Sequence, residues 1–346
     1  MAKTGGNRYG THRALEPKGS LPQPAWKLDN TSEIWDNEVL IDVETLNVDA
    51  ASFRQISDQA GGDPGKIGQI IMETVAQRGK QHNPVTGSGG MLIGTVAEIG
   101  PALQDRDLAV GDRLASMVSL SLTPLKIQEI LAVHGATCQV DVRAQAVLFA
   151  SGIYAKLPAD MPDKLALAVL DVAGAPAQTA KIVGPGQTVL VVGAGGKSGL
   201  LCLHEAKKRA GITGKVMALC RSEGAVARVQ ESGLADVILR GDAKEAMSVL
   251  QLVEEATGGA LADVTINCVD IPGTEMTSIL ATRDGGLVYF FSMATSFTAA
   301  ALGAEGIGKD VTMLIGNGYT KNHSEIAINS LRENPVLREM FSKLYA

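Results

Sequence analysis

Between Thr188 and Gly199 the chain reads TVLVVGAGGKSG, and two phosphate-binding chemistries compete for it. Gly196-Lys197-Ser198 has the ending of a P-loop, whose consecutive backbone N–H groups wrap a phosphate chain. That loop needs a glycine five positions before the glycine of its GK[ST] ending, and Val191 stands there, inside an apolar run. The P-loop reading therefore fails on its own pattern. The other reading makes TVLVV a buried strand, Gly193, Gly195 and Gly196 a tight turn, and the run from Lys197 and Ser198 through Gly199 a helix closed by Gly211. Amides at the helix start and the positive end of its dipole then face a pyrophosphate. Gly193, Gly196 and Gly199 give G-x-x-G-x-x-G, one residue longer than the usual dinucleotide fingerprint.

A dinucleotide offers more than its pyrophosphate. Where the second strand ends, a carboxylate that accepts both ribose hydroxyls is the common choice; here the chain runs Cys220-Arg221-Ser222 and the first acid is Glu223. Arg221 can pair with a 2′-phosphate or stack on adenine, so NAD and NADP both stay open. Lys197 can neutralise pyrophosphate charge or simply start a helix in solvent. Cys268 and Val269 follow the fourth strand, and Ser292 and Met293 the fifth, at the carboxyl edge where open α/β sheets hold their ligands. They are the expected neighbours of the nicotinamide.

Those residues need a scaffold. From about residue 158 six apolar runs, TVLVVG, KVMALC, ADVILRG, DVTINCVD, GLVYFFS and DVTMLIG, are spaced by stretches long enough for helices or crossovers, which predicts a doubly wound parallel Rossmann sheet over 158–318. Residues 1–157 read as strands and turns. NEVLIDVETLNV and MLIGTVAEIG alternate loosely, and Gly111-Asp112 is expected to turn between two further short strands, so this half is a β-rich domain. Residues 319–346 read as a helical segment with a break at Pro335, packing back toward the first domain.

Composition narrows the function classes. The chain has 346 residues, 45% of them apolar, with a formal net charge of −6 and no dense basic run, which argues against nucleic acid and for a small-molecule partner. Cys138, Cys202, Cys220 and Cys268 are far apart, with no C-x-x-C and no paired histidine spacing. Neither a disulfide framework nor a structural zinc site is expected, and the thiols fit a cytoplasmic protein. No apolar h-region follows the start, and no window reaches the roughly 18 apolar residues that a span needs.

The stretches EVLIDVETLNVDAASFRQI, GGMLIGTVAEIGPAL, LAVGDRLA and AGAPAQTAKIVGPGQTVLVVGAGGKSG, in that order, resemble the medium-chain dehydrogenase/reductase superfamily. The resemblance implies a barrel-like, GroES-like catalytic domain, a Rossmann cofactor domain, and a homodimer or homotetramer. Zinc-dependent members carry Cys, Gly-His-Glu and Cys where this chain has Asp49-Ala50-Ala51-Ser52, Ser88-Gly89-Gly90 and Ala173-Gly174. None of these is a thiolate or imidazole, so no catalytic zinc is expected. Within the superfamily, the head RYGTHRALEPKGSLPQPAWKLDN is similar to amine dehydrogenases of anaerobic lysine fermentation. That likeness implies NAD(P)-linked oxidative deamination of a 3,5-diaminohexanoate at C3, giving 5-amino-3-oxohexanoate and ammonia. Two other readings compete: a zinc-independent NADPH quinone or enoyl reductase, with an apolar pocket, and a non-catalytic nucleotide-binding protein.

Such a deamination needs a base near neutral pKa, an acid for the second ammonium and a cation for the carboxylate. Asp171, two positions before Ala173, is the first choice for ammonium binding or base work. Asp49 and Ser52 stand where the first metal ligand would project, and His82 stands near the second, as a proton shuttle. Glu73 reads as a solvated helix face, and Arg54 or Arg78 could hold the carboxylate. His204 falls on the helix after the glycine turn, exposed or packed, and His134 and His323 have no partner visible in the sequence.

Overall fold

The computed structural model describes residues 3–83, 87, 89–316 and 318–345. The chain divides into two compact units, Met1–Met161 and Pro162–Ala346.

In the first unit the strands are β1 (Ala14–Glu16), β2 (Lys27–Leu28), β3 (Glu38–Asn47), β4 (Met91–Ile99), β5 (Arg113–Ser116), β6 (Leu125–His134), β7 (Gln139–Phe149) and β8 (Tyr154–Lys156). Six of them form one sheet in the order β6-β7-β3-β4-β5-β8, antiparallel throughout. Val39, Ile41, Val43 and Leu46 of β3 face a core shared with Leu92, Val96, Leu114, Leu125 and Val140. Two helices follow β3: α1 (Ala50–Ala60) and α2 (Pro64–Arg78). The reading of this half as strands and turns overlooked α1. Phe53, Ile56 and Ala60 recur at helical spacing into the same core, and Asp49 caps the helix. The Gly111-Asp112 turn also differs from expectation, since a strand follows it but none precedes it. Asp112 Oδ2 accepts from Ala109 N at 2.8 Å, which closes the turn locally, while Gly111 N and Asp112 O bond to Val96 of β4.

The head of the chain is pinned by a buried ion pair. Arg13 Nε and Nη2 donate to Glu38 Oε1 (2.9 Å) and Oε2 (2.6 Å), and the remaining guanidinium hydrogens reach the carbonyls of Asp29, Thr31 and Glu33. His12 Nε2 lies 2.8 Å from Glu38 Oε1. Burial pushes the Glu38 carboxyl up, but these bonds and the Arg13 charge outweigh it and hold it below the usual range.

The second unit holds β9 (Thr188–Val192), β10 (Lys215–Cys220), β11 (Val237–Arg240), β12 (Ala262–Asn267), β13 (Thr282–Phe290) and β14 (Val311–Ile315). Every predicted run became a strand, and all pair in parallel in the order β11-β10-β9-β12-β13-β14. Val189 to Val192 of β9 are fully buried because helices cover both faces of such a sheet. The helices are α3 (Asp163–Leu170), α4 (Gly174–Ile182), α5 (Lys197–Ala210), α6 (Glu223–Ser232), α7 (Ala246–Thr257), α8 (Glu275–Ala281), α9 (Phe297–Gly306), α10 (His323–Glu333) and α11 (Pro335–Tyr345). Strand order reverses between β9 and β12, which opens a crevice outside their carboxyl ends. Pro335 starts α11, where a missing N–H costs nothing. α10 packs on α3, α4 and α5, and α11 on α3 and α6. Among the described residues no helix is long and apolar enough to cross a membrane.

Candidate active site

β9 delivers the chain into the crevice, and Gly193 turns it at φ +79°, a conformation that L side chains avoid. A Cβ there would lie 2.9 Å from Val269 Cγ2. The turn is thus pressed against the residues that follow β12. Gly199 sits under it; a Cβ on Gly199 would meet Gly193 O at 2.3 Å, so α5 starts directly beneath the turn. Gly196 is the N-cap of α5 and offers no side chain to the first amides of the helix. Those donors and the helix dipole make an anion site.

A cavity of about 280 Å³ opens on this turn, lined among others by Gly193, Gly195, Gly196, Arg221, Ser222, Cys268 and Val269. Seven of the residues singled out in the sequence therefore meet here. The others lie differently. Lys197 Nζ donates to Asp171 Oδ2 at 2.6 Å. Ser198 and Gly199 belong to the first turn of α5. Ser292 Oγ donates to Asp270 Oδ1 at 3.2 Å, and Met293 is 89% exposed.

Among the lining residues that the sequence analysis did not name are Arg228, Ala225 and Asp242. Arg228 Nε donates to Gly195 O at 2.8 Å, and Ala225, one turn earlier on the same face of α6, lines the cavity with it. The i, i+3 spacing on the helix after β10 was the available signal. Asp242, just past β11, is the third; its Oδ2 lies 3.9 Å from Arg221 Nη1. Its place at the carboxyl edge of a predicted strand was the clue. Ser222 caps α6 through Ala225 N, and Glu223 turns to Arg240 at 3.2 Å. Burial pushes the Cys220 thiol up.

In the first unit, Gly90 lies at φ +90°, where a Cβ would be 2.0 Å from Asn47 O and 2.8 Å from Asp49 N. A Cβ on its neighbour Gly89 would meet Gln81 O at 2.5 Å and Ser121 N at 2.8 Å. These two glycines draw the segments of Asp49, Gln81–His82 and Ser119–Ser121 together; Ser88 lies outside the described residues. Asp49 Oδ1 accepts from Ser52 N (2.9 Å) and Oδ2 from Ser52 Oγ (2.5 Å), so Asp49 works as the cap of α1. The His82 ring is half-buried, and among the described residues its Nδ1 is enclosed with no partner. Burial, then the charges of Arg78 and Lys80, push its pKa down to about 4, so the imidazole is neutral. Gln81 Oε1 is likewise enclosed without a partner.

Other candidates have other occupations. Arg78 Nε donates to Trp26 O at 3.1 Å and lies over the Trp26 ring, Glu73 accepts from Gln69 on an exposed face, and Arg54 is exposed on α1. His134 pairs with Asp141 at 2.7 Å, His204 faces Glu333 at 3.4 Å, and His323 packs on Tyr319. His204, Glu205 and Glu333 gather closely, but Lys208 Nζ lies 2.7 Å from Glu333 and Arg209 Nε 3.3 Å from Glu205, which makes an ion-pair network. The side chains of Asp49 and Ser52, bonded to each other, and the glycines at 89–90 do not fit the thiolate and imidazole donors of a catalytic zinc.

Comparison with known proteins bears on these two sites. The family model described as the L-erythro-3,5-diaminohexanoate dehydrogenase N-terminal domain matches residues 12–158. The chain is 57% identical over 341 residues to L-erythro-3,5-diaminohexanoate dehydrogenase of Acetoanaerobium sticklandii, covering 98% of this chain and 99% of that one. It is 55% identical, with the same coverage, to the protein of that name from Fusobacterium nucleatum subsp. nucleatum. Among solved structures it is similar to an alcohol dehydrogenase from Thermotoga maritima (TM-score 0.56, 16% identity, 91% of this chain and 86% of that one). A mycobacterial quinone oxidoreductase gives a TM-score of 0.54 at 19% identity, covering 90% of this chain and 82% of that one. At such identities the likeness shows the medium-chain dehydrogenase/reductase fold alone.

Proposed function

The chain belongs to the L-erythro-3,5-diaminohexanoate dehydrogenase family, and from that membership we propose that it oxidatively deaminates L-erythro-3,5-diaminohexanoate at C3 to 5-amino-3-oxohexanoate and ammonia. Identity of 57% over nearly the whole length of a dehydrogenase of that name carries this reading. The cavity at the Gly193 turn supports its coenzyme half.

A nicotinamide coenzyme, when bound, takes the hydride from the amine-bearing carbon. Everything else falls to the chain. The amides opening α5 hold the pyrophosphate, and Arg228 braces the turn through Gly195 O. The coenzyme is NAD in this reading, because Asp242 suits ribose hydroxyls and repels a 2′-phosphate, while Arg221 is already turned to Asp242. The substrate amine must be neutral before hydride leaves, and water must then add to the iminium carbon so that ammonia can depart. His82, whose ring is neutral, is the candidate acceptor for a hydrogen bond from that amine and then from the attacking water. Asp49 and Ser52 hold the chain beside it. Asp171 sets Lys197 at the start of α5, so its carboxylate is engaged, and His82 takes the acceptor role. No step uses a metal, in keeping with the oxygen and glycine positions where zinc ligands would stand.

A cytoplasmic homodimer or homotetramer completes the proposal, supported by β14 at the sheet edge with Ile315 exposed. The test is turnover of L-erythro-3,5-diaminohexanoate by the purified chain with NAD+ and NADP+ in parallel, reading reduced coenzyme by absorbance and ammonia in equal amount. Reduction of a quinone by NADPH with no amine oxidation would replace this reading with the reductase one. Tight coenzyme binding with no turnover of either would leave a nucleotide-binding protein.

A further inference from the structure

Cys202 and Cys268 are 66 residues apart in the sequence, yet their sulfurs lie 3.7 Å apart under the glycine turn. Cys202 belongs to α5 and is fully buried, whereas Cys268, the residue after β12, is half-buried and lines the cavity. Of the four thiols in the chain, these two meet sulfur to sulfur. A disulfide needs a sulfur separation of about 2.05 Å, so the pair must close by about 1.7 Å. Cys268 is the member of the pair that borders the cavity the coenzyme would fill.

We propose that Cys202 and Cys268 form a dithiol modification site, which a hydroperoxide entering the empty coenzyme cavity converts to an intrachain disulfide and which bound coenzyme shields. The chemistry balances in two steps. The Cys268 sulfur, giving up its proton, attacks one oxygen of hydrogen peroxide; the O–O bond breaks, water leaves, and Cys268 becomes a sulfenic acid. Cys202 then attacks that sulfur, the S–O bond breaks, a second water leaves and the S–S bond forms. Two thiols and one peroxide become one disulfide and two waters, with two electrons passing from sulfur to oxygen. The bond to Cys202, and then burial, hold the Cys268 thiol well above the ordinary range, so the reaction is slow at neutral pH and depends on the cavity being open.

The consequence reaches the turn. Cys268 C lies 3.3 Å from where a Gly193 Cβ would stand, and Val269 Cγ2 is closer still, so the turn has no slack. Drawing α5 toward β12 shifts the amides at its start, and close packing transmits that shift.

The experiment treats the purified full chain with hydrogen peroxide, with and without NADH, and maps thiols by peptide mass under non-reducing conditions. A Cys202–Cys268 cross-link, lighter than the two thiol peptides by two hydrogens, is expected without NADH, to be suppressed by NADH and reversed by dithiothreitol. NADH binding, followed by its fluorescence, is expected to weaken about tenfold on oxidation and to recover on reduction. Cys202→Ser is expected to bind NADH as the parent does and to resist that loss. Oxidation that stops at a Cys268 acid, a pairing that uses Cys138 or Cys220, or a cross-link that forms equally under saturating NADH would each overturn the proposal. The mapping holds whatever the substrate; only the binding readout rests on the coenzyme reading, and failure of the reduced chain to bind NADH would fault that reading instead.

Discussion

Lys197 Nζ lies 2.6 Å from Asp171 Oδ2, a pair that joins the first residue of α5 to the residue closing α3. Lys197 also sits 5.8 Å from the centre of the Tyr345 ring. A half-exposed pair of this kind contributes up to about 1 kcal/mol. Asp171→Asn is therefore expected to change the coenzyme dissociation constant by less than about fivefold and to keep kcat within about threefold. Steady-state kinetics with a fluorescence titration checks this. A kcat loss of about a hundredfold would return base work to Asp171.

Gly193→Ala tests the turn. Its φ of +79° costs an L residue about 1–2 kcal/mol, and the added methyl meets Val269. Coenzyme affinity is expected to fall by more than about tenfold, with a lowered Tm. Unchanged affinity would remove this turn from the coenzyme site.

For coenzyme choice, Asp242→Asn removes the charge that would oppose a 2′-phosphate and frees Arg221. The ratio of kcat/KM for NADP+ over NAD+ is expected to rise about tenfold. A ratio that stays put would assign the choice elsewhere.

His82 carries both a catalytic and a stability prediction. His82→Asn is expected to lower kcat about a hundredfold with a smaller effect on KM. Its folded pKa, about 4, lies below the ordinary 6.5, so the unfolded chain binds the extra proton first as pH falls. The neutral ring's contribution is complete above about pH 6.5 and is lost as pH drops toward 4. His82→Asn should flatten that limb of the Tm profile by an amount worth about 1 kcal/mol, which calorimetry across this window measures. A limb as steep as the parent's would contradict the buried, neutral ring.

Arg13→Met strands the buried Glu38 carboxylate, and urea unfolding is expected to show a loss of about 3–5 kcal/mol. Glu38 sits below its ordinary pKa, so its stabilisation is present above about pH 4.5 and is lost as pH falls through the lower, folded value. In Arg13→Met this acid limb should move to higher pH. A loss under about 1 kcal/mol would mean that the head is held by packing alone.

Much of the second unit was legible in one dimension. Six apolar runs became six parallel strands because a strand covered on both faces must be apolar at every position, and that signal survives without tertiary context. The first unit was harder to read. α1 went unseen because its apolar residues, Phe53, Ile56 and Ala60, are few and follow a strong strand pattern directly. At the site, Gly193, Gly195 and Gly196 announced themselves by spacing. Arg228 and Asp242 did not, since each reaches the cavity from a different βα unit.

The order of residues alone carried the glycine turn, the alternation of strand and helix, and the absence of Cys and His where a zinc would need them, because each is a local pattern of backbone need or donor type. Which groups share a wall was left to the folded chain. Pairing of Lys197 with Asp171, the enclosed Nδ1 of His82 and the meeting of Cys202 with Cys268 join residues from separate elements or depend on what buries them. Contact and desolvation are properties of the packed chain, and no local spacing encodes them.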